Sequence, residues 1–261
     1  MLSITSAQLD AWVNGLMLPL ARLLGLIAAA PVFSNRAIPV RVRLAIGLAV
    51  AMAVLPVLPA MPRVPPDSAL ALAMLAQQAF IGIAVGFMMR LMFAAIDVAG
   101  EMIGLQMGLS FAVFFNPQTG GQTAVITDFL GLLTMLIFLA LDGHLMLINV
   151  LVMSFEWLPV GSDPSGRAEA WSLIVRYASV MFASGLLLAL PMVAALLITN
   201  IALGVLTRAA PQLNLFAVGF PVTLSIGFAV LLLSLTSFAP VAQSIFERGF
   251  LAIDELLRLM R

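Results

Sequence analysis

The sequence predicts an all-α protein, a membrane-embedded or membrane-associated bundle of long, kinked and hairpinned helices. Three observations carry this. Hydrophobic residues make up 63% of the 261 and charged residues 9%, with mean hydropathy +1.16; soluble domains carry about 25% charged residues. Several apolar runs exceed the roughly 20 residues that cross a bilayer upright. Prolines, glycines and single charges interrupt those runs where a straight helix would have to bend.

Composition also narrows the chemistry. Twelve basic residues, every one an arginine, balance twelve acidic ones, so no basic field invites nucleic acid. There is no cysteine, which removes disulfides, thiol catalysis and thiolate metal sites. The lone histidine, His144, rules out a multi-histidine metal centre. No P-loop, dinucleotide fingerprint or HExxH motif occurs, and the 16 methionines suit adaptable apolar packing. No cofactor is expected. The N-terminus lacks a basic n-region and Arg22 interrupts the first run, so no cleavable signal peptide is expected.

Taken in order, Ser6 can cap a helix starting near Gln8, and the first run, Ala11–Ala30, contains Arg22 and stops at Pro31. A polar joint with Ser34, Asn35, Arg36, Pro39, Arg41 and Arg43 leads to a second run, Leu44–Leu58. Met61–Ser68 is a proline-rich linker, whose Asp67 or Ser68 can cap the next helix.

The third run, Ala69–Gln106, is too long for one perpendicular span. Its charges Arg90, Asp97 and Glu101 fall within about 40° of one another at 100° per residue. Charges in apolar helices face a bundle interior, a wet cavity or a partner; an ion pair and a pore lining both fit the stripe. Gly82 and Gly86, and Gly100, Gly104 and Gly108, stand at GxxxG spacing, which lets helix backbones approach closely.

Met107–Gln122, MGLSFAVFFNPQTGGQ, follows without a charge. Gly108, Gly120 and Gly121 stand near its ends, Phe111, Phe114 and Phe115 crowd its middle, and Asn116-Pro117 starts a turn. Irregular backbone cannot face hydrocarbon; it is buried in protein or lines a cavity. Two readings suit this segment: a greasy plug in a passage, or a hairpin connection dipping into the interface with phenylalanine as anchor. Composition by itself favours the hairpin.

The fourth run, Thr123–Trp157, is broken by Asp142-Gly143-His144 into unequal halves, as expected of a bent or hairpinned element. Asp142 and His144 are a weak pointer to acid–base chemistry, because no nucleophile elbow accompanies them; a capped helix break is the better reading. After the polar turn Val160–Arg167, the fifth run, Trp171–Leu206, should kink at Pro191. A tight turn from Arg208 to Asn214 precedes the sixth run, Leu215–Phe238. Pro240–Arg261 reads as an amphipathic helix for a membrane surface or a partner. Arginines are nearly balanced between the two sides of a plain six-span arrangement, which argues against a simple serpentine.

Several stretches together resemble one family. They are Ala30-Pro31-Val32-Phe33 with Arg41 and Arg43, Ala99–Gly108 (AGEMIGLQMG), Phe138–His144 (FLALDGH) with Ser154-Phe155 and Pro159-Val160, and Arg208–Pro221 (RAAPQLNLFAVGFP), which includes Pro211, Gln212 and Asn214. In order and over nearly the whole length, the chain resembles the FliR/SctT family of type III secretion export-gate proteins. The DGH and the GFP are more similar to the flagellar branch than to the virulence injectisome branch. The resemblance implies a non-enzymatic subunit of a helical export gate in the bacterial inner membrane, at the flagellar basal body. The implied partners are FliP and FliQ in the core gate, FlhB and FlhA beside it, unfolded flagellar substrates and membrane lipid. It further implies a FliP-like portion, residues 1–165, and a FliQ-like hairpin with tail, residues 166–261. It makes Gly108–Gly121 a pore plug, with Asn116 where the family carries aspartate, and it places Arg90, Asp97, Glu101, Gly100 and Gly104 at subunit contacts. A small-solute secondary transporter is the competing reading; it should show two similar halves, and none is visible.

Overall fold

The computed structural model describes residues 6–35, 38–62, 64–65, 67–109, 124–162, 168–210 and 215–261, with the side chains of 6–14 and 215–217 excepted. Among them there is helix and no strand. The helices are α1 (Ser6–Ala29), α2 (Pro31–Ser34), α3 (Val40–Val54, extended by a 3₁₀ turn Leu55–Val57), α4 (Ala69–Gln106), α5 (Val125–Ala140), α6 (Gly143–Trp157), α7 (Ala168–Ala209) and α8 (Leu215–Leu259).

Local chemistry explains the ends. Pro31 opens α2 at its first turn, where its missing amide is harmless. Arg43 closes the joint before α3 by donating to the carbonyls of Ile38 and Asn35 at 3.1 and 2.8 Å. Consequently α3 begins at Val40, and Arg41 and Arg43 are helical rather than part of the polar joint expected before Leu44. Ser68 is the cap of α4: its Oγ accepts the Ala71 amide at 3.1 Å and donates to the Pro65 carbonyl at 2.6 Å. At the far end the Leu109 amide reaches the Gly104 carbonyl and the Gly108 amide that of Leu105. This is a Schellman stop, and Gly108 sits in it at φ +79°, which glycine adopts without strain.

The fourth run breaks where expected. Asp142 stands in the left-handed region at φ +54°, and its carbonyl accepts the Leu145 and Met146 amides. Its carboxylate makes no capping bond, so the cap is made by backbone rather than by the side chain. The sixth run and the tail are one helix. Both Pro221 and Pro240 are carried inside α8, and Pro191 inside α7.

The chain packs as two units, Met1–Leu91 with Asp142–Tyr177 and Arg248–Arg261, and Met92–Leu141 with Ala178–Glu247. In the first, α1 crosses α4 at glycine. A Cβ on Gly82 would collide with the Arg22 carbonyl, one on Gly25 with that of Ala79, and one on Gly86 would press on Ala29 and the Ala30 amide. The last turns of α8 dock in this unit, with Ile253, Leu256 and Leu257 fully buried, and Arg258 lies over the Trp157 ring. The tail expected on a membrane surface or a partner thus packs on its own chain.

In the second unit, α5 buries Ile126, Leu130, Thr134 and Phe138, one residue every turn. Gly185 of α7 lies against the Ala95 carbonyl and Val98, and Gly227 of α8 against Met107. Phe93, Phe138 and Phe246 form a triangle with centroids 5.0–5.6 Å apart, an edge-and-tilt arrangement that aromatic quadrupoles favour.

Among the described residues four helices are long and apolar enough to cross a membrane: Val40–Val57, Ala69–Gln106, Ala168–Ala209 and Val218–Leu259. Val125–Ala140 and Gly143–Trp157 qualify together as one broken span.

Candidate functional site

The 38 residues of α4 carry the candidates Arg90, Asp97, Gly100, Glu101 and Gly104. About two thirds of its most apolar stretch is covered by the chain itself, against 17% for α7 and 22% for α8. From Ile81 onward, what remains open on α4 is a stripe. Ile83, Phe87, Arg90, Asp97, Glu101 and Leu105 are exposed, while Val85, Met89, Met92, Ile96 and Ala99 between them are buried. Ile83, Phe87 and Arg90 follow at steps of four and three residues, and Asp97, Glu101 and Leu105 at steps of four, so within each unit the exposed residues share one helix side. The stripe carries both signs, Arg90 toward one end and Asp97 and Glu101 toward the other.

The glycines beside it differ. Gly100 is covered within the chain, where a Cβ would meet Cα of Thr127 at 2.6 Å. A Cβ on Gly104 would meet no described atom within 4 Å, which leaves room there for a side chain.

The stripe leads to the Gly108 stop, after which the described chain ends at Leu109 and resumes at Ala124. Phe111, Phe114, Phe115, Asn116, Pro117, Gly120 and Gly121 lie outside the described residues, as do Pro211, Gln212 and Asn214. Arg208 is in the last turn of α7, where a cation complements the helix dipole. Met107, the residue before the stop, is fully buried and lies against Gly227, which seats the end of α4 on α8.

Acid–base chemistry finds no support at the α5–α6 break. The carboxylate-bearing Asp142 is exposed, and His144 Nδ1 is buried with no hydrogen-bond partner among the described residues, so none of those residues orients that nitrogen as a general base requires.

One arrangement was not singled out from the sequence. Arg22 is wholly buried and donates to Gln78 Oε1, Ser154 Oγ and the Leu158 carbonyl at 2.8, 2.8 and 2.9 Å. Its guanidinium lies 3.8 Å from the Phe155 ring centroid. A charge inside an apolar run is the signal that would have found it.

Comparison with known proteins bears on the whole chain. The family model for Bacterial export proteins, family 1 matches residues 13–249. The flagellar biosynthetic protein FliR of Escherichia coli (strain K12) is 42% identical over 257 residues, 98% of each chain. Its counterpart in Pectobacterium carotovorum is 42% identical over the same share. That of Aquifex aeolicus is 31% identical over 243 residues, 93% of each chain.

Proposed function

The chain belongs to the bacterial export proteins, family 1, as a membrane-embedded flagellar biosynthesis export protein, and on that premise we propose that it is a non-enzymatic subunit of the flagellar type III export gate. In this reading it helps form and close the inner-membrane pore through which unfolded flagellar proteins leave the cell. Its partners are FliP and FliQ in the core and FlhB and FlhA beside it. The observation that carries the reading is the end-to-end match to FliR of Escherichia coli, 42% identical over 98% of both chains. A second fact is in keeping with it: α7 and α8, 42 and 45 residues long, leave most of their apolar surface open in the single chain. Such length exceeds an upright span, and helices packed among partner helices need not obey that limit.

The charged stripe of α4 and the open flank at Gly104 are assigned to subunit contacts. Residues 1–165 are the FliP-like portion, and 166–261 the FliQ-like portion, in which α7 and α8 follow one another across residues 210–214. Gly108–Gly121 is the plug. The Schellman stop at Gly108 is in keeping with this reading, because it ends α4 abruptly where that segment begins. Phe111, Phe114 and Phe115 would form a dry constriction that bars ions. Deleting Gly108–Gly121 tests the plug in the assembled complex reconstituted in liposomes. Conductance should rise severalfold over the intact complex; unchanged conductance rejects the plug.

A further inference from the structure

The geometry points to a conformational device unrelated to the stripe or the plug: Arg22 is the bolt of a three-way joint, fixing where α6 ends against α1 and α4. It stands independently of the export-gate reading. Three acceptors meet the guanidinium. Gln78 comes from α4, while Ser154 and Leu158 both come from the end of α6. The Leu158 amide makes the last bond of α6, to the Ser154 carbonyl at 2.9 Å. Arg22 therefore straddles the final turn, holding the side chain of Ser154 and the carbonyl of Leu158, which lies past the helix. A second tie follows: Gln77 Nε2 donates to the Ser162 carbonyl. Between the two ties Gly161 turns the chain at φ +94°, over the Met74 methyl.

All three acceptors are neutral. Among the described residues no carboxylate meets the guanidinium, and a charge buried in that way is an expensive way to gain stability, since an apolar core of the same volume serves equally well or better. What the planar fork supplies instead is geometry, because its N–H groups diverge in fixed directions that no apolar group or ammonium reproduces. Helix ends otherwise fray. With Arg22 in place, α6 stops at one residue and the chain sets out toward α7 from one point.

The test uses the full chain in nanodiscs and three variants: Arg22→Met, Arg22→Lys, and Arg22→Met combined with Gln78→Leu and Ser154→Ala. The triple variant removes the orphaned side-chain partners, so it should melt within a few degrees of the parent even where Arg22→Met fails to fold. Amide hydrogen exchange at Leu158 and Ser162 should nonetheless accelerate about tenfold or more in it, an opening change that local exchange reads directly. Arg22→Lys should show the same sign, because one ammonium cannot reach all three acceptors. Parent-like exchange at Leu158 and Ser162 in either the triple variant or Arg22→Lys overturns the proposal, since apolar packing would then set the joint unaided.

Discussion

Gly82 and Gly86 let the backbones of α1 and α4 touch, whereas a Cβ on Gly104 would meet no described atom within 4 Å. The two kinds of position should respond oppositely to one methyl group. Gly82→Ala drives a Cβ into a backbone carbonyl and should lower stability by about 1–3 kcal/mol, the range for overpacking, read as an earlier thermal transition of the purified chain. Gly104→Ala relieves backbone entropy at an open helix site and should stabilise the chain by up to about 1 kcal/mol. If Gly104 receives a partner helix, the same substitution weakens assembly while leaving the chain intact. Glu101→Ala belongs with it: an exposed charge contributes little to the fold of the single chain, so an effect should appear in recovery of the complex rather than in the melting of the subunit. Full recovery of the complex would remove Glu101 from the contact.

At the scale of elements, periodicity and punctuation were legible and long-range docking was not. Pro31, Ser68, Gly108 and Asp142 mark four helix boundaries in the sequence, and each does so in space, because caps and stops are decided by neighbours within a few residues. The helix that carries Arg90, Asp97 and Glu101 was legible for the same reason, and all three are exposed on it. Pro240 misled. A proline removes one helical bond, but α8 continues through it and runs on into turns where Leu256 and Leu257 are wholly buried. Local propensity loses there to apolar burial at roughly 25 cal/mol per Å², and nothing within the tail itself says which surface receives it. The same limit hid Arg22, whose acceptors lie 56 to 136 residues away in sequence. Truncation after Glu247 makes the point measurable. It removes the buried Ile253, Leu256, Leu257 and Met260 and should leave a chain that aggregates or melts well below the parent. A tail that merely lay on lipid would be dispensable, and a truncated chain with unchanged melting would contradict the docking.

For the whole molecule, the apolar inventory exceeds what the chain can cover. Leu72, Leu132, Leu187, Leu232 and Leu233 are each more than 60% exposed, on four different helices. Exposure on that scale marks lipid or protein contact, and the family match favours partners for part of it. The most direct test is co-expression of the chain with FliP and FliQ, solubilisation in a mild detergent and native mass spectrometry of the affinity-purified material. A single species containing all three proteins in fixed ratio is the predicted result. A chain that emerges as a monodisperse monomer, with neither partner bound, would contradict the export-gate account.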